Sequence, residues 1–241
     1  MRLAPTLARP LAALAILAST AAGQDAAVKK FTADFGYVSV SGNTSVTTMS
    51  IGDKFTWSKA RWSLEQTFGI VRGEQDGVEN TNNLRAGLRT DYKLAGLFSA
   101  YVAGSFDRNT FAGIKRRFEE QAGLTWRAIG SATDTLRLDV GASVTQQLST
   151  TGVESDFPSG RAAMYYRHAF TGSSYFEQRA DYIPNFKTPK DWRLNTETAV
   201  VAPISARIGL KVGYAIRYDN QPEPTFGTID RLFVTSIQIT Y

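Results

Sequence analysis

The sequence predicts an all-β fold: a transmembrane antiparallel up-and-down β-barrel of about 12 strands, preceded by a cleaved signal peptide. Three observations carry this reading: an alternating closing segment, an exported-protein start, and one rhythm repeated between them. In the closing segment, Phe233, Thr235, Ile237, Ile239 and Tyr241 fall on one face, and Leu232, Val234, Ser236, Gln238 and Thr240 on the other, because strand side chains alternate. A soluble domain seldom ends in the middle of a strand that is apolar on one side.

The start agrees. Arg2 and Arg9 supply positive charge, Leu11 to Leu17 form a short apolar stretch, and Ala21-Ala22-Gly23 offers small residues for cleavage. That is the build of a secretory signal peptide. Residues 1–23 are expected to be removed and 24–241 to form one barrel domain. The apolar stretch is too short for a spanning helix, and no segment approaches the roughly 20 apolar residues such a helix needs.

From Lys30 onward, alternating segments recur: Phe31–Val40, Thr47–Trp57, Ala60–Val71, Asn82–Tyr92, Leu97–Phe106, Arg117–Arg127, Thr135–Leu148, Gly160–Phe170, Ser174–Ile183, Trp192–Ala202, Ser205–Tyr218 and Thr228–Tyr241. Most reach the roughly 9–11 residues of a tilted membrane strand. Connections after even-numbered segments are short, such as Ser58-Lys59 and Pro203-Ile204. Those after odd-numbered segments are long, such as Gly73–Thr81 and Pro184–Asp191; Ser41-Gly42-Asn43-Thr44, a tight-turn sequence, is the exception. Short turns on one side are a habit of outer-membrane barrels, where they are periplasmic.

The faces sort in the same sense. The fourth segment sets Leu84, Ala86, Leu88, Thr90 and Tyr92 against Arg85, Gly87, Arg89 and Asp91. Eight strands enclose a space that side chains just fill, so twelve leave room for the charged set inside and place the apolar set against lipid. Trp57, Trp62, Tyr92, Trp126, Phe170, Tyr175, Trp192, Tyr218 and Tyr241 gather near segment ends, where amphipathic rings suit membrane interfaces. Asp53 and His168 fit badly, since both fall on apolar faces. A local bulge or an interfacial partner would explain Asp53.

Composition excludes several functions. Among 241 residues there is no cysteine and one histidine, which leaves no disulfide framework and no histidine–cysteine metal cluster. No cofactor is implied. The formal charge of +5 falls to +3 without Arg2 and Arg9, with 25 basic residues against 22 acidic ones. No basic stripe of the kind nucleic acid requires is present. A serine hydrolase needs a nucleophile, a histidine and an orienting group, and no Gly-x-Ser-x-Gly sequence accompanies His168. The reading is therefore not an enzyme.

At Phe35-Gly-Tyr-Val-Ser-Val-Ser-Gly-Asn-Thr44, then Asp107-Arg-Asn-Thr-Phe-Ala-Gly-Ile114, Tyr218-Asp-Asn-Gln-Pro222 and Thr228-Ile-Asp230, the chain resembles a Gram-negative family called salt-induced outer-membrane proteins. The resemblance implies barrel fold and outer-membrane location, and brings no activity or catalytic residues. The closing strand likewise resembles those that the barrel-assembly machinery reads, with Phe233, Ile237, Ile239 and Tyr241 as the assembly signal.

The remaining choice is between a narrow passive channel for small polar or ionic solutes and a non-conducting envelope barrel contacting lipopolysaccharide. Lys115-Arg116-Arg117 is the run that such contact would use. Lumen-lining candidates are Arg85, Arg89, Asp91, Arg137, Asp139, Arg179, Asp181, Arg193, Glu197, Arg207 and Lys211. The same register turns Lys54, Arg61, Arg117, Arg127, Arg161, Arg167 and Arg217 inward, with Asp34, Glu65, Asp107, Glu119, Glu177 and Asp230, leaving a small basic excess. Three couples, Arg89 with Asp91, Arg137 with Asp139 and Arg179 with Asp181, sit two residues apart on one face, roughly 7 Å along a strand. Such couples would narrow any path.

Overall fold

A computed structural model describes residues 27–40, 46–170 and 173–241, without the side chains of 38–40. The expected signal peptide and the expected tight turn at Ser41–Thr44 therefore lie outside the described residues. Twelve strands are described: β1 (Val28–Val40), β2 (Val46–Lys59), β3 (Trp62–Gln75), β4 (Val78–Lys93), β5 (Phe98–Asn109), β6 (Ile114–Gly130), β7 (Asp134–Ser149), β8 (Glu154–Ala169), β9 (Tyr175–Pro184), β10 (Trp192–Pro203), β11 (Ile208–Asp219) and β12 (Ile229–Thr240). Each pairs antiparallel with its neighbours in sequence, and β1 pairs with β12 to close the barrel. Closure removes the free edges that lipid could not hydrogen-bond.

The seam between β1 and β12 is short, running from Thr32 opposite Thr240 to Phe35 opposite Ile237. Backbone bonds extend it by one residue: Phe31 N–H donates to the Tyr241 carbonyl at 2.9 Å, and Tyr241 N–H to the Phe31 carbonyl at 2.8 Å. The closing strand is thus paired through its last residue.

The predicted separation of loop lengths is corrected. At the end where β1 begins, here the near end, connections are short, as with Ala60–Arg61 and Ile204–Arg207. At the far end, three connections taken for loops are mostly strand. Between β3 and β4 only Asp76 and Gly77 remain, with φ of 52° and 78°. Positive φ at both central residues is the two-residue hairpin geometry that Asp-Gly favours. Polar strand residues above the membrane look like loop in a hydropathy reading, yet their ladder hydrogen bonds do not depend on apolar side chains. Longer connections survive between β9 and β10 and between β11 and β12, where Asn220–Thr228 intervenes.

The outer wall carries the apolar set. Phe35, Ile51, Leu88, Val102, Leu124, Val140, Val200 and Phe233 are all exposed. Rings pair along both rims: Trp62 with Tyr92 at 4.7 Å and Phe98 with Trp126 at 6.5 Å near the near end, Trp192 with Tyr218 at 4.8 Å toward the far end. They stand at the interfacial level that such rings favour.

Asp53 stays on this outer wall. The register of β2 is continuous against both β1 and β3, so no bulge turns it inward. Its carboxylate accepts a hydrogen bond from the Gln66 amide at 2.9 Å. His168 is also outward, near the near-end rim, with Nδ1 2.8 Å from Asp134 Oδ1 and its ring 4.9 Å from that of Phe170.

Candidate functional site

The site is the lumen, built from the inward residues of all twelve strands. One part of it is an ionic cluster on β4, β6, β7, β8 and β9. Arg89 donates to Asp91 at 2.9 and 2.7 Å and to Asp139 at 2.6 and 3.2 Å. Thr125 donates to Asp139 at 2.7 Å, and Arg161 reaches Asp139 at 3.4 Å and also pairs with Asp181. The Arg89 guanidinium lies 4.0 Å from the Tyr101 ring centroid. Buried charges persist when paired and hydrogen-bonded, and every charge here except Asp91, which Arg89 holds along its own strand, has partners on at least one other strand.

Tyr101 is nearly fully buried, although it points into the barrel. It lies on bare backbone: a Cβ at Gly123 would meet its ring at 2.9 Å, and one at Gly141 its hydroxyl at 2.7 Å. The two glycines face each other on β6 and β7. They form a slot for a ring, a use of glycine where another group approaches the backbone closely.

Two further groups cross the lumen. In the near half, Lys54 on β2 lies 5.8 Å from the Tyr165 ring centroid on β8, six strands away. Arg137 and Arg179 lie 5.5 and 5.1 Å from the same centroid. Glu65 holds Lys54 at 2.9 Å and Glu177 accepts from the Tyr165 hydroxyl at 3.2 Å. In the far half, Asp107 on β5 is 2.9 Å from Arg85 and 4.0 Å from Arg217 on β11, also six strands away. Asn109 donates to Asp230 across the same gap at 3.2 Å. Above it the β11–β12 connection leans inward: Gln147 donates to Glu223 at 2.6 Å, and Phe226 lies against Gly113.

Beside these bridges runs a cavity of about 690 Å3, lined at one end by Lys30, Arg167 and Tyr175 and at the other by Asp107, Arg117 and Arg217. A single water needs roughly 10–15 Å3 in the same measure. A smaller space of about 130 Å3 sits under the far-end loops, against Asp191, Asp219 and Glu223.

Of the sequence candidates, Arg85, Arg89, Arg179, Asp181, Arg193, Glu197 and Lys211 border the large cavity, and Asp91, Arg137 and Asp139 belong to the clusters beside it. Lys211 pairs with Asp34 at 2.9 Å and Arg193 with Glu119 at 2.5 Å. Arg207 is corrected: it occupies the exposed β10–β11 turn, with its guanidinium 5.0 Å from the Tyr241 ring centroid. Arg61 likewise sits in the β2–β3 turn. A tight turn breaks the alternation on which an inward reading rests. Of the three couples, Arg89 with Asp91 is direct and Arg137 with Asp139 is looser at 3.8 Å, while Asp181 turns to Arg161 and leaves Arg179 to Tyr165. The basic run also divides. Arg117 donates inward to Gln147 at 2.7 Å, while Arg116 faces Glu154 at 3.6 Å.

Sequence reasoning missed the inward aromatics Tyr101, Tyr165 and Tyr175. Their parity placed them inside, but tyrosine reads by default as a girdle residue. It also missed Asp219, which reaches Arg117 at 3.9 Å from the end of β11.

Fold and interior together define a transmembrane β-barrel whose lumen is charged, partly filled and bridged at two levels. The chain belongs to the family described as "Protein of unknown function, DUF481", whose pattern matches residues 33–241. The expectation drawn from the Ser-Gly-Asn-Thr resemblance, membership of an outer-membrane family without assigned activity, is met. Among relatives, "Uncharacterized protein YdiY" of Escherichia coli K12 is 24% identical over 190 residues, 78% of this chain and 73% of the relative. Among solved structures, a NanC porin has a TM-score of 0.49 at 11% identity, covering 87% of this chain and 97% of its own. An outer-membrane channel from Pseudomonas putida F1 has a TM-score of 0.49 at 10% identity, covering 88% and 94%. Neither likeness carries an argument about what this chain does.

Proposed function

We propose that the protein is a narrow passive channel for small polar or ionic solutes in the Gram-negative outer membrane, exported by its signal peptide and inserted by the barrel-assembly machinery. The observation that supports this is the charged cavity beside the ionic clusters, which reaches from Lys30 and Arg167 to Asp107 and Arg217. Acidic and basic groups alternate around it, so a permeating ion exchanges hydration for fixed charges of both signs. Rings of Arg and Lys favour anions, and the basic excess here is small, so the expected selectivity is mild.

The second reading is a non-conducting envelope barrel that contacts lipopolysaccharide. The Asp107–Arg217 and Asn109–Asp230 contacts across the diameter, beneath the inward-leaning Asn220–Thr228 connection, favour it. Neither reading gives His168 a catalytic role, because its partner Asp134 is already engaged by Tyr166 and Thr133. Purified protein in planar bilayers separates the two. Small, stepwise, ohmic currents support the channel; electrical silence with a folded barrel supports the envelope role. Turnover of a lipid or ester substrate that is lost in His168→Gln would overturn both.

A further inference from the structure

We propose that the outer wall over β1, β2 and β3 is the two-fold interface of a homodimer, centred on Asp53 and Gln66. The inference rests on the strand register and on the lipid-facing wall, not on whether the lumen conducts. Lys54 pairs with Glu65 inside the barrel, so Asp53 and Gln66, their neighbours along β2 and β3, point out. Their mutual hydrogen bond of 2.9 Å shows both on the same wall.

Depth makes this pair unusual. Asp53 lies four residues from Trp57 along β2, about 13 Å of strand. At the usual tilt that is about 10 Å of height, against an apolar band of about 25 Å. Aspartate has no long stem with which to lift its charge to the interface, as lysine and arginine do. Glu120 on β6 also faces out, six residues along its strand from Ile114, but its longer stem gives its carboxylate a reach that aspartate lacks. Asp53 is surrounded by Ile51, Phe55 and Phe68, with Ala33 opposite it on β1.

One hydrogen bond leaves this pair unfinished. Among the described residues, Gln66 uses one amide N–H on Asp53, and the second Asp53 oxygen has no donor. Acyl chains offer neither donor nor acceptor. A second copy related by a two-fold axis offers both: each amide can donate to the carboxylate of the other copy. An isologous contact requires just such self-complementarity. Ala33 is the small residue that lets the second wall approach, and the exposed rings of Phe31 and Phe35 flank it.

The chain has no cysteine, so Ala33→Cys introduces its sole thiol. Oxidation in outer-membrane vesicles is expected to give a cross-linked species of twice the chain mass. Unmodified protein in mild detergent is expected to show a two-chain mass by native mass spectrometry, and Asp53→Leu with Gln66→Leu a one-chain mass, with heat-modifiable migration retained. If that variant misassembles, Ala33→Trp, which keeps the polar pair and blocks approach, is expected to give the same one-chain mass. A one-chain mass for the unmodified protein, no Ala33→Cys cross-link, or a dimer unaffected by these changes would overturn the proposal.

Discussion

The guanidinium of Arg89 lies over Tyr101, 4.0 Å from its ring centroid, while its nitrogens reach Asp91 on its own strand and Asp139 on β7. One arginine thereby joins β4, β5 and β7 through the lumen. The arrangement depends on Gly123 and Gly141, whose missing side chains leave the slot for the tyrosine ring.

Gly141→Val is accordingly expected to expel Tyr101 and disorder the Arg89 cluster. Overpacking of this kind costs about 1–3 kcal/mol. Urea titration of the folded barrel in detergent, read by the tyrosine and tryptophan signals, checks it. An unchanged midpoint would mean that the slot does not hold the ring.

Asp139→Leu leaves Arg89 buried with a lost partner, and breaking a buried pair costs about 3–5 kcal/mol. Replacing both members, Asp139→Leu with Arg89→Met, is expected to recover part of that loss: the Arg89 charge is no longer stranded, while Asp91 loses the guanidinium that held it. The same titration decides it: a double variant no more stable than the single one would contradict this account of the cluster.

Selectivity should follow position rather than charge count. Arg85→Glu with Lys211→Glu is expected to move the reversal potential in a potassium chloride gradient toward cation preference. Arg207→Glu is expected to leave it where it was, because that residue lies on a turn beside Tyr241. Equal shifts from both would place Arg207 in the conduction path.

Tyr241 closes the seam through two backbone bonds with Phe31 and a ring contact with Arg207. Tyr241→Ala should lower the yield of folded, heat-modifiable protein in the membrane while leaving the molecules that do fold unaltered in lumen behaviour. Wild-type yield would argue against a role for the ring in assembly.

The strands were legible because alternation is local: Arg85, Arg89 and Asp91 face the lumen wherever β4 goes. What alternation cannot show is where pairing stops. Asp76-Gly77 is a two-residue hairpin signal embedded in polar residues, and hydropathy alone made a loop of it. Arg207 failed for a related reason: it shares the odd parity of the inward Lys211 and Arg217, but it lies in the four-residue turn before β11 begins, where alternation does not hold.

By itself, then, the sequence determined the barrel, its strand number and the faces of its strands, because these follow from a two-residue period and the demand of lipid for satisfied backbone groups. Only the tertiary structure decided which charges meet. Asp181 lies two residues from Arg179 yet pairs with Arg161 on the neighbouring strand, and Asp107 meets Arg217 across the whole diameter. Those encounters depend on closure and on register between strands far apart in the chain, quantities that no local period encodes.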